Sequence, residues 1–171
     1  MFKKIKTQKS IIFVIALGLV LRLINLNQSL WLDEAITALA VKNNSFIELI
    51  TKFSPGDFHP PLYYLFLKFW TMFFGFSEVA LRMPSVIFGV LAIFFIYKIG
   101  GKKAAILMAV NPLGVYYSQE ARMYSLAMLL VTASVFFFIK KKRLLFVMSF
   151  LAALYTDYVP WLMFPLFLSR E

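Results

Sequence analysis

Residues 60–75 read Pro-Pro-Leu-Tyr-Tyr-Leu-Phe-Leu-Lys-Phe-Trp-Thr-Met-Phe-Phe-Gly, and whether this stretch crosses a membrane decides how the rest of the chain is threaded. Around it lie apolar runs at Ser10–Asn25, Met83–Ile99, Ala104–Tyr117, Met123–Ile139 and Leu144–Leu168. Three basic clusters punctuate them, Lys3–Lys9, Lys98–Lys103 and Lys140–Arg143. Basic residues near span ends stay on the cytoplasmic side, so an even number of crossings has to separate each pair of clusters. From Lys103 to Arg143 this holds at once, with two helices joined by an outer turn at Ser118–Arg122. Between Lys9 and Lys98 it holds only if 60–75 stays out of the bilayer. The stretch is short, carries Lys68 in its middle and is dense in Tyr, Phe and Trp. Those traits suit an amphipathic helix on the outer surface, with Pro60 and Pro61 at its start.

Composition points the same way. Of 171 residues, 61% are hydrophobic and 15% charged, with a mean hydropathy of +0.80. A soluble domain carries about half apolar and about a quarter charged residues, so an ordinary cytosolic globule and a disordered chain are excluded. Twenty Phe, eight Tyr and three Trp suit lipid-facing cores and interfacial belts. The net charge of +10 sits in the clusters just named, which makes it a topology signal rather than a nucleic-acid footprint. The lack of cysteine excludes disulfides and thiol chemistry. Ala16-Leu17-Gly18 loosely matches a leader cleavage site, but the apolar run continues through it, so the first span is read as uncleaved with a cytoplasmic N-terminus.

The fold class is therefore all-α: a polytopic protein of the plasma (inner) membrane with about five transmembrane helices and room for a partial sixth. The spans fall at 10–26, 82–99, 103–118, 121–139 and 143–165, and a long outer loop at 26–81 carries surface helices at 33–42, 45–53 and 60–75. Ser45-Phe46-Ile47-Glu48 matches a capping box, followed by Phe46, Leu49, Ile50 and Phe53 at helical spacing. The last run is interrupted by Asp157, Pro160 and Pro165. A helix rising from Arg143 would bring Asp157 roughly 21 Å up, toward the outer face.

Ionisable groups at membrane depth mark functional sites. Asp33, Glu34, Asp57, His59, Arg82, Glu120, Arg122 and Asp157 all fall near the outer face in this threading; Arg22 lies one turn inside its span and could snorkel outward. Asp33 and Glu34 are helix neighbours and face different ways, so one turns to the site and the other has a structural task, or Asp33 simply caps its helix. His59 opens a surface helix where an imidazole and backbone N–H groups could meet an anion; a solvated turn is the plainer reading. Arg82 and Arg122 suit a phosphate through fork-like bonds, or serve as interfacial anchors. Asp157 could pair with Arg122. One histidine and no cysteine disfavour a zinc site, while a carboxylate site for a divalent cation stays open and no other cofactor is indicated. A glycine-rich phosphate loop, a G-x-S-x-G and a metalloprotease helix are all missing, which argues against a nucleotide-driven transporter or an intramembrane protease.

At these residues the chain resembles the GT-C membrane glycosyltransferases, in the branch of the protein O-mannosyltransferases and the lipid A aminoarabinose transferase. The similarity rests on Ser29-Leu30-Trp31-Leu32-Asp33-Glu34-Ala35, His59-Pro60-Pro61-Leu62-Tyr63-Tyr64, residues Phe74–Ser85, Tyr116–Tyr124 and Leu154–Tyr158, which follow in the family's order. The resemblance implies a polyprenyl-phosphate-linked sugar donor, an acceptor hydroxyl on protein, lipid or glycan, and inversion at the anomeric carbon. It implies Asp33 as catalytic base and donor-phosphate contacts from His59 and Arg82. Glu34, Glu120, Arg122, Tyr124 and Asp157 complete the expected substrate site, although relatives usually carry His or Lys where Asp157 stands. The chain corresponds to the N-terminal module of a longer family architecture. The alternative is a non-catalytic membrane subunit, or truncated scaffold, that binds a lipid phosphate or a partner chain.

Overall fold

The computed structural model describes residues 2–57 and 59–168, and every regular element among them is helical. The order is α1 (Phe2–Leu23), α2 (Leu32–Asn43), α3 (Phe46–Glu48), a π-helical turn (Leu49–Phe53), α4 (Ser54–Asp57), α5 (Leu62–Phe74), α6 (Glu78–Val110), α7 (Pro112–Ser118), α8 (Tyr124–Ile139), α9 (Arg143–Leu154), a 3₁₀ turn (Val159–Met163) and α10 (Phe164–Leu168). Among the described residues one helix, α6, is long and apolar enough to cross a membrane, with a mean hydropathy of 2.2 over its best 18-residue window. Ser10–Leu23, Leu62–Phe74, Tyr124–Ile139 and Arg143–Leu154 are shorter apolar helices. Large apolar side chains stay exposed along them, including Phe13 at 71%, Leu107 at 70% and Leu144 at 72%.

α6 is not straight. Gly101 holds φ 74° and ψ −165°, a conformation open to glycine but strained for other residues. In a straight helix Ile93 and Ala109 would stand about 24 Å apart, yet both pack against Gly18 of α1. The chain therefore reverses at Gly101 as a hairpin. Val14 sits in one cluster with Ile93, Ala105 and Ala109, whereas Arg22 reaches Ser118, so α1 starts beside the hairpin and ends away from it. Phe95 packs on Phe136 and Phe137 at 5.6 and 5.9 Å, which brings the α8–α9 turn to the same end. Lys98–Lys103 and Lys140–Arg143 thus share one end of the bundle, and the 119–123 turn lies at the other.

Two prolines free carbonyls that other helices take up. Pro84 has no N–H for the Ala80 carbonyl, which accepts from Trp70 Nε1 at 2.8 Å instead. Pro112 likewise leaves the Met108 carbonyl without a helical donor, and α6 ends at Val110. Arg22 donates to the carbonyls of Met108 (3.3 Å), Ala109 (3.1 Å) and Gly18 (3.0 Å) and to Ser118 Oγ at 3.1 Å. Its guanidinium is fully buried, so the outward snorkel expected for Arg22 does not occur: orphan carbonyls at a helix C-terminus are the better partners for a cation. Gly89 lets this clasp close, since a Cβ there would lie 2.1 Å from Ser118 Oγ and 2.8 Å from Arg22 Nε. Gly89→Ala should therefore cost about 1–3 kcal/mol by overpacking, read as a lowered unfolding temperature in detergent.

A helical cap covers the end opposite the basic turns. Ser45 and Glu48 form the capping box, with Ser45 Oγ accepting from the Glu48 N–H at 3.2 Å and Glu48 Oε2 from the Ser45 N–H at 3.0 Å. α5 buries Tyr63, Tyr64, Leu67 and Thr71 on one side and leaves Phe69, Met72, Phe73 and Phe74 exposed on the other. Its amphipathicity therefore has two apolar faces. Lys68 donates to the Val41 carbonyl near the end of α2 at 2.9 Å, which accounts for its charge. The run expected as one span over 143–165 is a continuous α-helix only to Leu154. Asp157 Oδ1 accepts from the Val159 N–H at 2.8 Å in a tight turn that Pro160 extends. The chain then folds back along α9, placing Phe167 within 5.0 Å of Phe138 and 4.8 Å of Phe146.

Candidate active site

Asp33 and Glu34 open α2, where carboxylates suit the helix dipole, and the fold separates their tasks. Glu34 is fully buried. Its Oε1 accepts from Arg82 Nε (2.8 Å) and the Ala121 N–H (2.7 Å), and its Oε2 from Arg82 Nη2 (2.6 Å) and the Trp31 N–H (3.3 Å). Four donors on two oxygens leave little for a substrate. Arg82 is equally committed. Besides Glu34 it donates to the carbonyls of Leu26 (2.8 Å), Gln28 (2.6 Å) and Ser29 (3.2 Å), which uses all five of its N–H groups. This pair ties α2, the 26–29 loop, α6 and the 119–123 turn into one hub. Asp33 is half-buried, and its carboxylate has no hydrogen-bond donor among the described residues. Its backbone carbonyl is held by Thr37 Oγ1 at 2.9 Å and Arg122 Nη1 at 3.4 Å.

Arg122 has the opposite character to Arg82. It is buried, yet beyond Asp33 it donates only to Thr37 Oγ1 at 3.0 Å, and its Nε has no partner among the described residues. Tyr124 lies under it, with the guanidinium 6.0 Å from the ring centre. Two further buried polar atoms lack partners, Glu120 Oε2 and the Tyr63 hydroxyl. Buried polar atoms without partners are uncommon, and these gather where the cap meets the 119–123 turn. Burial pushes the Tyr63 phenol up, and burial followed by the Asp57 carboxylate does the same for Tyr64. The Tyr64 hydroxyl donates to Asp57 Oδ2. His59 Nδ1 faces the Asp57 carbonyl at 2.8 Å and Asp57 Oδ2 at 3.1 Å. Two acceptors at Nδ1 call for a proton there, which leaves Nε2 as the ring nitrogen without a partner among the described residues.

The expected pairing of Asp157 with Arg122 does not form: among the described residues Asp157 makes no ion pair, because its carboxylate is drawn into the turn at Val159. That turn still borders the cap, since the Tyr155 carbonyl accepts from the Leu62 N–H at 3.0 Å. No three metal-ligating side chains converge among the described residues.

The hub, the cap and the 119–123 turn all lie within or beside residues 58–166, which match the family of dolichyl-phosphate-mannose-protein mannosyltransferases. The chain belongs to that family. No curated protein and no solved structure matches it. In this mannosyltransferase-family chain the matched stretch holds His59, Arg82, Glu120, Arg122, Tyr124 and Asp157, while Asp33 and Glu34 precede it and join it through the hub. Thr37, Tyr63 and Tyr64 enter the site without having been singled out in the sequence. Thr37 follows Asp33 by one helical turn, a signal that was available; the tyrosines read there as aromatic surface, and only tertiary packing turns their hydroxyls inward.

Burial raises the Glu120 carboxyl above its ordinary range, so the folded protein holds this proton more tightly than the unfolded chain. The stability this contributes is complete below the ordinary glutamate range and is lost as pH rises through the raised value. Unfolding temperature measured across that window should fall with pH in the wild type, and the fall should flatten in Glu120→Gln.

Proposed function

We propose that the chain is a membrane-embedded glycosyl-transfer module that moves a sugar from a polyprenyl-phosphate donor to an acceptor hydroxyl with inversion, at the extracytoplasmic face. The reading takes the spans as 10–26, 82–99, 103–118, 121–139 and the segment from 143 on, with the N-terminus and basic turns on the cytoplasmic side of the plasma membrane. The gathering of Lys98–Lys103 and Lys140–Arg143 at one end supports this orientation. The acceptor is a hydroxyl of protein, lipid or glycan. A second membrane subunit is a further partner in this reading.

The observation that carries the reading is convergence. Arg122, a buried cation whose Nε lacks a partner among the described residues, bonds the backbone of Asp33, whose carboxylate has no donor among them, over a hub that fixes both. A sugar bonded through C1 to a lipid phosphate needs no acid to leave, because the phosphate accepts the bonding electrons as C1–O breaks. It needs a cation where that charge develops and a base beside the attacking hydroxyl. Arg122 fits the first role and Asp33 the second; His59 Nε2 fits the headgroup at the cap's edge. Arg82 and Glu34 fit positioning rather than contact, since their hydrogen-bonding capacity is spent. Tyr63, Tyr124 and Glu120 lie beside them, with the Tyr63 hydroxyl and Glu120 Oε2 still without partners among the described residues. The turn at Asp157 flanks it and fits a substrate contact from the far side. The second reading, a lipid-phosphate-binding subunit without turnover, shares the Arg122 contact but gives Asp33 no task.

The test is transfer of radiolabelled mannose from polyprenyl-phosphate mannose by the reconstituted protein. Arg122→Gln should weaken donor binding about tenfold or more, in keeping with loss of a charge-assisted contact. Unchanged donor affinity in that variant would remove the phosphate role, and donor binding without any transfer by the wild type would favour the subunit reading.

A further inference from the structure

The basic end of the bundle carries a feature that sugar transfer does not use. The α8–α9 connection is tight: Lys141 adopts φ 56°, and the N–H groups of Lys141 and Lys142 donate to the Phe138 and Phe137 carbonyls at 3.0 and 2.9 Å. Beside it opens a groove of about 710 Å³ lined by Lys141, Lys142, Arg143, Phe137, Phe138 and Phe146 among others. Two nearby cations rest on aromatic rings. Lys140 lies 5.9 Å over the Phe136 ring and Lys98 5.2 Å over Phe94. The three groove cations are exposed, and none pairs with a carboxylate among the described residues. Among the described residues, the carboxylates at 33, 34, 57, 120 and 157 belong to the other end.

We propose that this groove seats an anionic phospholipid of the cytoplasmic leaflet, its phosphate among Lys141, Lys142 and Arg143 and an acyl chain along Phe137, Phe138 and Phe146. The inference rests on the membrane reading given above but not on catalysis. Three cations at the rim, none paired with a carboxylate among the described residues, call for an anion. The aromatic floor calls for hydrocarbon at the same time, and a phospholipid carries both within one molecule. An acidic peptide would satisfy the rim and make no use of the half-buried phenylalanine edges that line the groove. The polyprenyl donor is a poor occupant, because its sugar would lie at the wrong end of the bundle from Asp33.

The experiment uses the full chain purified in neutral detergent, with native mass spectrometry and thermal unfolding as readouts. Dioleoyl-phosphatidylglycerol should bind about tenfold or more tightly than dioleoyl-phosphatidylcholine and raise the unfolding temperature. Lys141→Gln/Lys142→Gln/Arg143→Gln should erase the preference. The charge-matched control Lys98→Gln/Lys102→Gln/Lys103→Gln should keep it. Equal loss in both triple variants, equal binding of the two lipids, or displacement of the bound phosphatidylglycerol by inorganic phosphate would each overturn the proposal. So would recovery of an acidic protein held through the same three residues. Failure of the membrane reading looks different: the protein would then stay monodisperse without detergent.

Discussion

Asp33→Asn should lower the rate of sugar transfer by about 10²- to 10⁴-fold, the range lost with a general base, while donor affinity and unfolding temperature stay at wild-type values. The substitution is suited to the question because the fold holds residue 33 by its backbone. Thr37 and Arg122 both bond its carbonyl oxygen, and the carboxylate bonds nothing among the described residues, so an amide of the same shape disturbs no internal contact. The two measurements check each other. Transfer at the wild-type rate would remove Asp33 as the base, and a drop in unfolding temperature would show that its charge serves the α2 dipole instead.

Arg82→Ala should have the larger effect on stability, about 3–5 kcal/mol, the cost of stranding one partner of a buried ion pair. Glu34, at zero exposure, would be left with only the Trp31 and Ala121 N–H groups, and three loop carbonyls would lose their donor. Arg82→Lys should recover only part of this, because an ammonium cannot reproduce the two-point fork to the carboxylate. The same variant separates two roles for this arginine. The family resemblance implies a phosphate contact, which predicts lost donor binding at normal stability. The spent hydrogen bonds predict lost stability first, with activity following the unfolding.

Much of the architecture was readable from local rules. The Ser45–Glu48 cap, the helix after Pro61 and the hairpin turns at the basic clusters each follow from residues close in sequence. So did the gathering of acidic and basic groups at one end, because charge near span ends is a one-dimensional signal. What local rules could not supply was the choice between chemically similar neighbours. Asp33 and Glu34 are both carboxylates in a first helical turn; which one is buried depends on where Arg82 and the Ala121 N–H arrive from far along the chain. Arg22, Arg82 and Arg122 read alike as span-end arginines. Their fates diverge because Pro112 frees a carbonyl beside the first, the 26–29 loop wraps the second, and nothing comparable reaches the third. Asp157 read as a partner for Arg122, but a backbone N–H two residues away was nearer at hand.

The Arg22 clasp has a consequence for biosynthesis. Only one of its acceptors, the Gly18 carbonyl, lies in its own helix; the others come from residues 108, 109 and 118. Until synthesis has passed Ser118, the guanidinium has little beyond the Gly18 carbonyl to bond, and burying a charge with so few partners is costly. α1 therefore takes its final place only after residues 108, 109 and 118 have been made.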